Sequence, residues 1–205
     1  MPKVSEAIRR RSAPALAVVS PPLPTASAYR QAMRQLAGGV SVVTAGVAPR
    51  RLGFTSATVV PLSADAPRLL ISFNRTSSLL LELEQCRCFG VNVLAAHHAD
   101  VAARFGGHGN AKGEAQFAGE CWQPMATGAP ILCDALASLD CELEEVIERH
   151  SHAIVIGRVV AGRHRSAGDT LVYWRGDFHD LRQSCDEGGP GAWEPILRSR
   201  NIACG

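Results

Sequence analysis

Two short runs of small hydroxyl residues have the types and spacing to bind an anion in this chain of 205 residues. The first is Thr55-Ser56-Ala57-Thr58. The second is Asn74-Arg75-Thr76-Ser77-Ser78, which joins the apolar stretch Leu69–Phe73 to a leucine-rich segment beginning near Leu79. A strand that ends in hydroxyl residues and opens a helix offers free N–H groups and hydroxyls on one side, and Arg75 adds a fixed positive charge. Small side chains also let a flat ligand approach the backbone. Two such segments in one sheet suggest a phosphorylated cofactor lying across strand ends. The same residue types equally suit ordinary caps and turns.

A further candidate is the turn Glu148-Arg149-His150-Ser151-His152, with two imidazoles that titrate near neutrality. Other polar clusters are weaker. Cys86-x-Cys88 has no second pair at zinc-site spacing and reads as a strand edge with one thiol packed inward. His97-His98 would diverge by about 100° on a helix, so no metal pair, and no metal site, is expected. The loop Gly106-Gly107-His108-Gly109-Asn110 reads as a mobile lid or a plain linker.

The elements that must position these groups follow from periodicity. Ser27 can cap a helix over about 28–37, ended by Gly38-Gly39. Val40–Ala45 reads as a strand, and the Gly53–Ser78 region as two strands. Leu79–Gln85 reads as a short helix, Phe89–Leu94 as a strand, Ala95–Phe105 as an amphipathic helix and 106–119 as a loop. In 139–148, Leu139, Cys141 and Leu143 alternate with Asp140, Glu142 and Glu144, which predicts one wet face. Ala153–Val160 is apolar on both faces and should be buried in the sheet or at a subunit contact. Leu171–Trp174 is the last expected strand. About seven strands in hairpin-like order, with three short helices, argue for a mainly β, antiparallel barrel with peripheral helices rather than a Rossmann fold. Neither GxGxxG nor GxxxxGK[ST] is present.

Composition bounds the reading. The chain is 46% hydrophobic and 20% charged with a formal charge of +2, so no case exists for nucleic acid or an anionic membrane as partner, and no apolar run reaches transmembrane length. Seven irregularly spaced cysteines suggest a reduced, cytoplasmic setting. Arg9-Arg10-Arg11 and Ala13–Ser20 superficially resemble an export signal, but Pro14, Pro21, Pro22 and Pro24 break the apolar run. Residues 1–27 therefore read as a disordered arm, 28–183 as one domain, and 184–205, with Gly188-Gly189-Pro190-Gly191, as a flexible tail.

The order of these pieces resembles a known family. Tyr29-Arg30-x-Ala32-Met33-x-x-Leu36, Gly53-x-Thr55-x-x-Thr58 with Pro67, Phe73-Asn74-x-x-Ser77, Phe89-x-Val91-Asn92-Val93-Leu94 and Arg104-Phe105 come first. Phe117-x-x-x-Cys121-Trp122, Ala137-Ser138-Leu139, His152-x-Ile154-x-Ile156-Gly157-x-Val159 and Leu171-Val172-Tyr173-x-Arg175 follow. Over about 28–181 the chain is similar to the flavin reductase-like proteins, and especially to the small reductase components of two-component flavin monooxygenases of the 4-hydroxyphenylacetate 3-monooxygenase type.

That resemblance implies an FMN-binding split β-barrel with antiparallel Greek-key strands. It implies an enzyme that passes hydride from NADH or NADPH to FAD or FMN and releases reduced flavin to a separate monooxygenase or halogenase, as a homodimer. Its flavin residues would be Thr55, Ser56, Ala57 and Thr58 at the ring edge and ribityl chain, and Ser72, Phe73, Asn74, Arg75, Ser77 and Ser78 at the ribityl and phosphate region. Asn92, Val93 and Leu94 would form a wall, with Phe105 at the adenine or dimethylbenzene end. His152 would face the nicotinamide, with Tyr173 and Arg175 closing the pocket. The acid that commonly precedes this histidine in the family is replaced here by Ser151, which leaves His150 as an alternative. Two other functions fit the same barrel: a flavin-retaining oxidoreductase acting on a small organic substrate, and a non-enzymatic flavin- or haem-binding module.

Overall fold

A computed structural model describes residues 23–182 and 193–195. Most of the expected N-terminal arm and C-terminal tail lies outside these residues. Helix α1, Ala26–Met33, belongs to a unit of residues 1–33 and is described by itself. Its first turn is closed by Thr25 rather than Ser27: Thr25 Oγ1 accepts the Ala28 N–H at 3.2 Å and its carbonyl accepts the Tyr29 N–H at 3.0 Å.

The second unit, residues 34–205, is built from antiparallel strands. These are β1 (Gly38–Gly39), β2 (Ser41–Ala45), β3 (Leu52–Ser56), β4 (Val60–Ser63), β5 (Arg68–Asn74), β6 (Cys88–Val93), β7 (Trp122–Pro124) and β8 (Pro130–Leu132), followed by β9 (Ala137–Arg149), β10 (His152–Arg165), β11 (Thr170–Trp174), β12 (Asp177–Leu181) and β13 (Trp193–Pro195). Helix α2 spans Ser78–Cys86 and α3 spans Ala99–Phe105. The main sheet runs β3-β2-β6-β9-β10-β5-β4, with β13 added beside β10. Two small sheets, β1-β11-β12 and β7-β8, complete the fold.

Alternation along β2 explains how one sheet serves two cores. Val43 and Ala45 enter a cluster with Ile71, Phe73, Leu83, Phe89, Val91 and Val155, whereas Val42 joins Leu94, Val101, Phe105, Phe117, Leu132 and Leu171. The small sheet joins the large one at Val40, which donates to the Leu171 carbonyl at 3.0 Å and accepts the Leu94 N–H at 2.9 Å.

Several expectations are corrected. The Gly53–Ser78 region contains three strands, β3, β4 and β5. Gly38-Gly39 forms a strand beside Val172 and Tyr173, and the last expected turn of α1 is replaced by hydrogen bonds from Arg34 to the Arg175 carbonyl and from Trp174 and Arg175 to Gln35. Asp140 does not face water. It is fully buried and accepts from the N–H (2.8 Å) and hydroxyl of Thr127, because the loop before β8 folds over this part of β9. Within the expected loop, Gly113–Phe117 is a 3-10 turn. Cys86 ends α2 and Cys88 starts β6; both are half-buried. Finally, Cys121 and Cys133 form a disulfide, although the spacing suggested reduced thiols throughout.

Candidate functional site

The segment that starts α2 builds one side of an open cleft. Asn74 closes a tight turn, its Oδ1 accepting both the N–H (3.0 Å) and the hydroxyl (2.9 Å) of Thr76, and its carbonyl accepting the Ser77 N–H at 3.0 Å. Ser77 is the N-cap of α2, yet its hydroxyl makes no capping bond. The N–H groups of Ser78 and Leu79 have no acceptor among the described residues. A helix N-terminus with orphan donors and a free hydroxyl suits an anion.

The opposite side comes from β3 and from residues 105–116. The cleft holds about 400 Å³ and is lined by Leu52, Gly53, Phe54, Thr76 to Leu79, Phe105, Gly107, Gly109, Ala111, Lys112, Gly113 and Gln116. Gly53 lets Phe105 pack closely against β3 at the cleft. A Cβ there would lie 2.6 and 2.8 Å from ring carbons of Phe105. Phe105 is itself fixed, edge-on to Phe117 at 5.1 Å and to Trp122 at 5.6 Å. Lys112 is the sole cation lining the cleft, and its ammonium has no partner among the described residues. The arrangement fits a ligand with a phosphate at α2 and an apolar, flat portion against Phe54 and Phe105.

The predicted residues separate into four groups. Ser77, Ser78 and Phe105 line the cleft. Asn74, Arg75 and His152 share one strand end, since His152 on β10 is paired with Asn74 on β5. His152 is exposed, and its Nδ1 lies 2.9 Å from Ser151 Oγ, so the serine stands where an orienting acid was missing. His150 sits in the turn with φ 51°. Arg75 is engaged: it pairs with Glu148 at 2.7 Å and donates to the His150 carbonyl at 3.3 Å.

A third group spends its polar atoms on the scaffold. Thr55 Oγ1 donates to the Ala102 carbonyl at 2.7 Å. Ser56 Oγ lies 2.9 Å from Thr58 Oγ1 and accepts the Thr58 N–H at 3.1 Å. Thr58 Oγ1 in turn accepts the Ser72 N–H at 3.2 Å and donates to the Ser72 carbonyl at 3.3 Å, stapling the β3–β4 turn to β5. Ala57 is exposed at that turn. Asn92, fully buried, donates to the Val42 carbonyl at 3.1 Å and accepts the Leu132 N–H at 2.8 Å.

The fourth group is core or lies elsewhere. Phe73 packs on Phe54 at 4.8 Å, Leu94 is fully buried and Val93 is half-buried. Tyr173 lies on β11, stacked near Phe178 at 5.5 Å, and does not line the cleft; Arg175 is held by Gln35. The sequence reading missed Phe54, Lys112 and Gln116. Lys112 was legible only as the one lysine in a glycine-rich loop.

Two other clusters hold residue types that could form a site. His97 and His98 lie in a 3-10 turn rather than an α-helix, so their rings converge, with centroids 4.0 Å apart, on Asp134. His98 Nδ1 accepts the Ala95 N–H at 3.1 Å, which puts the imidazole proton on Nε2, facing Asp134 Oδ2 at 3.1 Å. A metal would need that Nε2 lone pair, so the cluster acts as a clasp. Burial holds the His98 pKa below its usual value against the opposing pull of Asp134. Burial would raise the Asp134 carboxyl, but its contacts with His98 and His97 outweigh this and leave it lowered. The second cluster is a cavity of about 340 Å³ lined by Cys86, Cys88, Arg50, Glu82 and Thr127. Burial pushes the Cys88 thiol up to about 11, so it is protonated at neutral pH and a poor nucleophile.

Comparison with known proteins bears on the same region. A family model described as a flavin reductase like domain matches residues 33–182. The chain is 35% identical over 173 residues to the FMN reductase (NADH) RutF 2 of Rhizobium rhizogenes, covering 82% of this chain and 99% of that protein. It is 34% identical over 153 residues to the FMN reductase (NADH) RutF of Bradyrhizobium diazoefficiens, covering 75% and 84%. Among solved structures, BorF, the flavin reductase component of a bacterial two-component tryptophan halogenase, superposes with a TM-score of 0.71 at 29% identity over 78% of this chain and 99% of that one. The Streptomyces globisporus NADH:FAD oxidoreductase SgcE6, in complex with NAD and FAD fragments, gives 0.70 at 25% identity over 78% and 94%.

Proposed function

The chain belongs to the flavin reductase-like family, and on that premise we propose that it is an NADH:flavin oxidoreductase that takes FMN in the cleft at the start of α2. The flavin, when bound, supplies the chemistry by accepting a hydride from the nicotinamide, so the protein's task is position and electrostatics. The observation that carries the reading is the cleft itself: orphan N–H groups at Ser78 and Leu79, the uncapped Ser77 hydroxyl and the unpaired Lys112 ammonium all face one space.

In this reading Ser77, Ser78 and Lys112 hold the phosphate. Phe54 and Phe105 pack on the flavin, and the exposed backbone of the 55–58 turn meets its polar edge. His152, oriented by Ser151, faces the nicotinamide. Arg75 shapes the turn through Glu148 rather than binding phosphate. The choice of FMN and NADH is supported by the names of the relatives that cover most of this chain. Reduced flavin leaves for a separate monooxygenase or halogenase, as the halogenase component BorF suggests. The working unit is residues 28–183, a homodimer in the cytoplasm; no described helix is long and apolar enough to cross a membrane.

The test is steady-state NADH and NADPH oxidation by the full chain with FMN, FAD or riboflavin. Turnover that saturates with micromolar FMN and prefers NADH is expected, and His152→Ala should raise KM for NADH more than it changes FMN affinity. A folded chain that binds flavin but oxidises neither nucleotide sinks the reductase reading in favour of a binding module.

A further inference from the structure

We propose that the Cys121–Cys133 bridge is a thiol–disulfide exchange site whose reduction by a dithiol loosens the flavin cleft. In the β7–β8 hairpin, strand β8 is firmly seated: Ile131 and Leu132 are fully buried, the Leu132 N–H is held by Asn92 at 2.8 Å, and Arg163 donates to the Leu132 and Cys133 carbonyls, each at 3.2 Å. Strand β7 is held more lightly: Arg104 pairs with Glu120 just before it at 3.2 Å, and Trp122 is its one residue packed on the core cluster among the described residues. Its pairing spans three residues, of which Pro124 opposite Pro130 can donate nothing, and Cys121, Gln123 and Pro124 are exposed. Beyond the ladder, β7 is tied to β8 by the disulfide and by the Cys133 N–H donating to the Cys121 carbonyl at 2.9 Å.

The bridge adjoins Trp122, which lies behind the cleft and backs its Phe105 wall. The Trp122 ring packs on Phe117 at 5.0 Å and on Phe105 at 5.6 Å, and Phe105 lines the cleft directly. The buried indole Nε1 of Trp122 has no hydrogen-bond partner among the described residues. Its seat is therefore held by packing and by the covalent bridge, at the cost of an unsatisfied donor. Removing the bridge frees β7 to leave, which relieves that donor and uncovers Phe105.

A dithiol gives two electrons and two protons and becomes a disulfide; the Cys121–Cys133 bond breaks and yields two thiols. Cys121 is exposed and so open to attack. In the cytoplasm, where disulfides that form are usually transient or redox-sensing, the bridge would follow the thiol poise.

The inference rests on the flavin reading of the cleft, so the experiment reads the hairpin and the flavin separately. The full-length protein is compared after oxidation and after treatment with dithiothreitol followed by anaerobic desalting. Alkylation with mass spectrometry follows the bridge, hydrogen exchange of the 121–133 segment follows the hairpin, and FMN titration follows the cleft. Reduction should speed exchange in 121–133 and weaken FMN binding about fivefold or more, within the ordinary range of coupling between sites. Cys121→Ser/Cys133→Ser should match the reduced protein whatever the reductant. Unchanged FMN affinity in a protein whose bridge has been opened overturns the proposal, as does free alkylation of both cysteines after oxidation, or a shift that persists in the double variant. Faster exchange in 121–133 with no FMN binding in either state removes the flavin reading and the coupling with it.

Discussion

At the β3–β4 turn, Ser56, Thr58 and Ser72 bond to one another and to backbone, whereas at the start of α2 the Ser77 hydroxyl and the Ser78 and Leu79 amides have no partner among the described residues. The two regions have the same residue types and nearly the same spacing. What separates them is what faces them. The first turn lies against β5, close enough for Thr58 to reach the Ser72 backbone. The second opens on the cleft. Hydroxyls that the chain itself satisfies are scaffold; those of Ser77 and Ser78, half-exposed and exposed, are left to water or to a ligand that displaces it.

That contrast can be broken most sharply at Asn92. Asn92→Ala leaves the buried Leu132 N–H without its acceptor and removes the side-chain donor to the Val42 carbonyl. It should cost about 2–4 kcal/mol in denaturant unfolding. FMN binding measured well below the unfolding midpoint should change far less; a selective loss of FMN binding at full stability would place Asn92 in the site instead.

Lys112→Ala tests the other side. Losing one charge-assisted contact, about 1.5–3 kcal/mol, should weaken FMN binding tenfold or more. Riboflavin, which lacks the phosphate, should bind as before, and the unfolding midpoint should not move. Equal losses for FMN and riboflavin would remove Lys112 from the phosphate.

The His98 clasp predicts a smaller, pH-dependent effect. Its folded pKa is lowered, chiefly by burial, so the unfolded chain takes up the proton first as pH falls. This contribution is whole above the unfolded value of about 6.5. It declines as pH drops through and below that value toward the folded one. Thermal melts between pH 7.5 and 5 should show the decline, as ordinary histidine titration dictates. His98→Gln should flatten it; an unaltered slope would assign it to other groups.

Arg75→Ala should do least. Its ion pair with Glu148 is exposed on both sides, with side chains 46% and 59% accessible. Such pairs contribute about 0–1 kcal/mol, screened by salt. A loss of FMN affinity comparable to that of Lys112→Ala would mean that the arginine swings from Glu148 to the phosphate.

Periodicity and punctuation made much of the fold readable. The strands over 40–45, 69–73, 89–94, 139–148, 153–160 and 171–174, and α2 and α3, have enough residues for a period to show, and all are present. The short strands β1, β4, β7 and β8 were not readable because two to four residues carry no period; they exist because a neighbour offers a ladder. The hydroxyl-rich 74–78 segment that opens a helix and the histidine turn at a strand end were likewise written in residue types.

Tertiary structure alone decided which hydroxyls are free, because that depends on Ser72 lying against Thr58 and on no acceptor lying against Ser77. It decided that Asp140 is buried, since strand alternation cannot foresee a loop folding over the outer face. It brought Lys112 opposite α2 and Cys121 to Cys133, pairs whose meeting depends on chain reversals rather than on any local pattern. Local composition sets what a segment is able to do; the neighbours that the fold delivers set whether that capacity is used internally or left for a ligand.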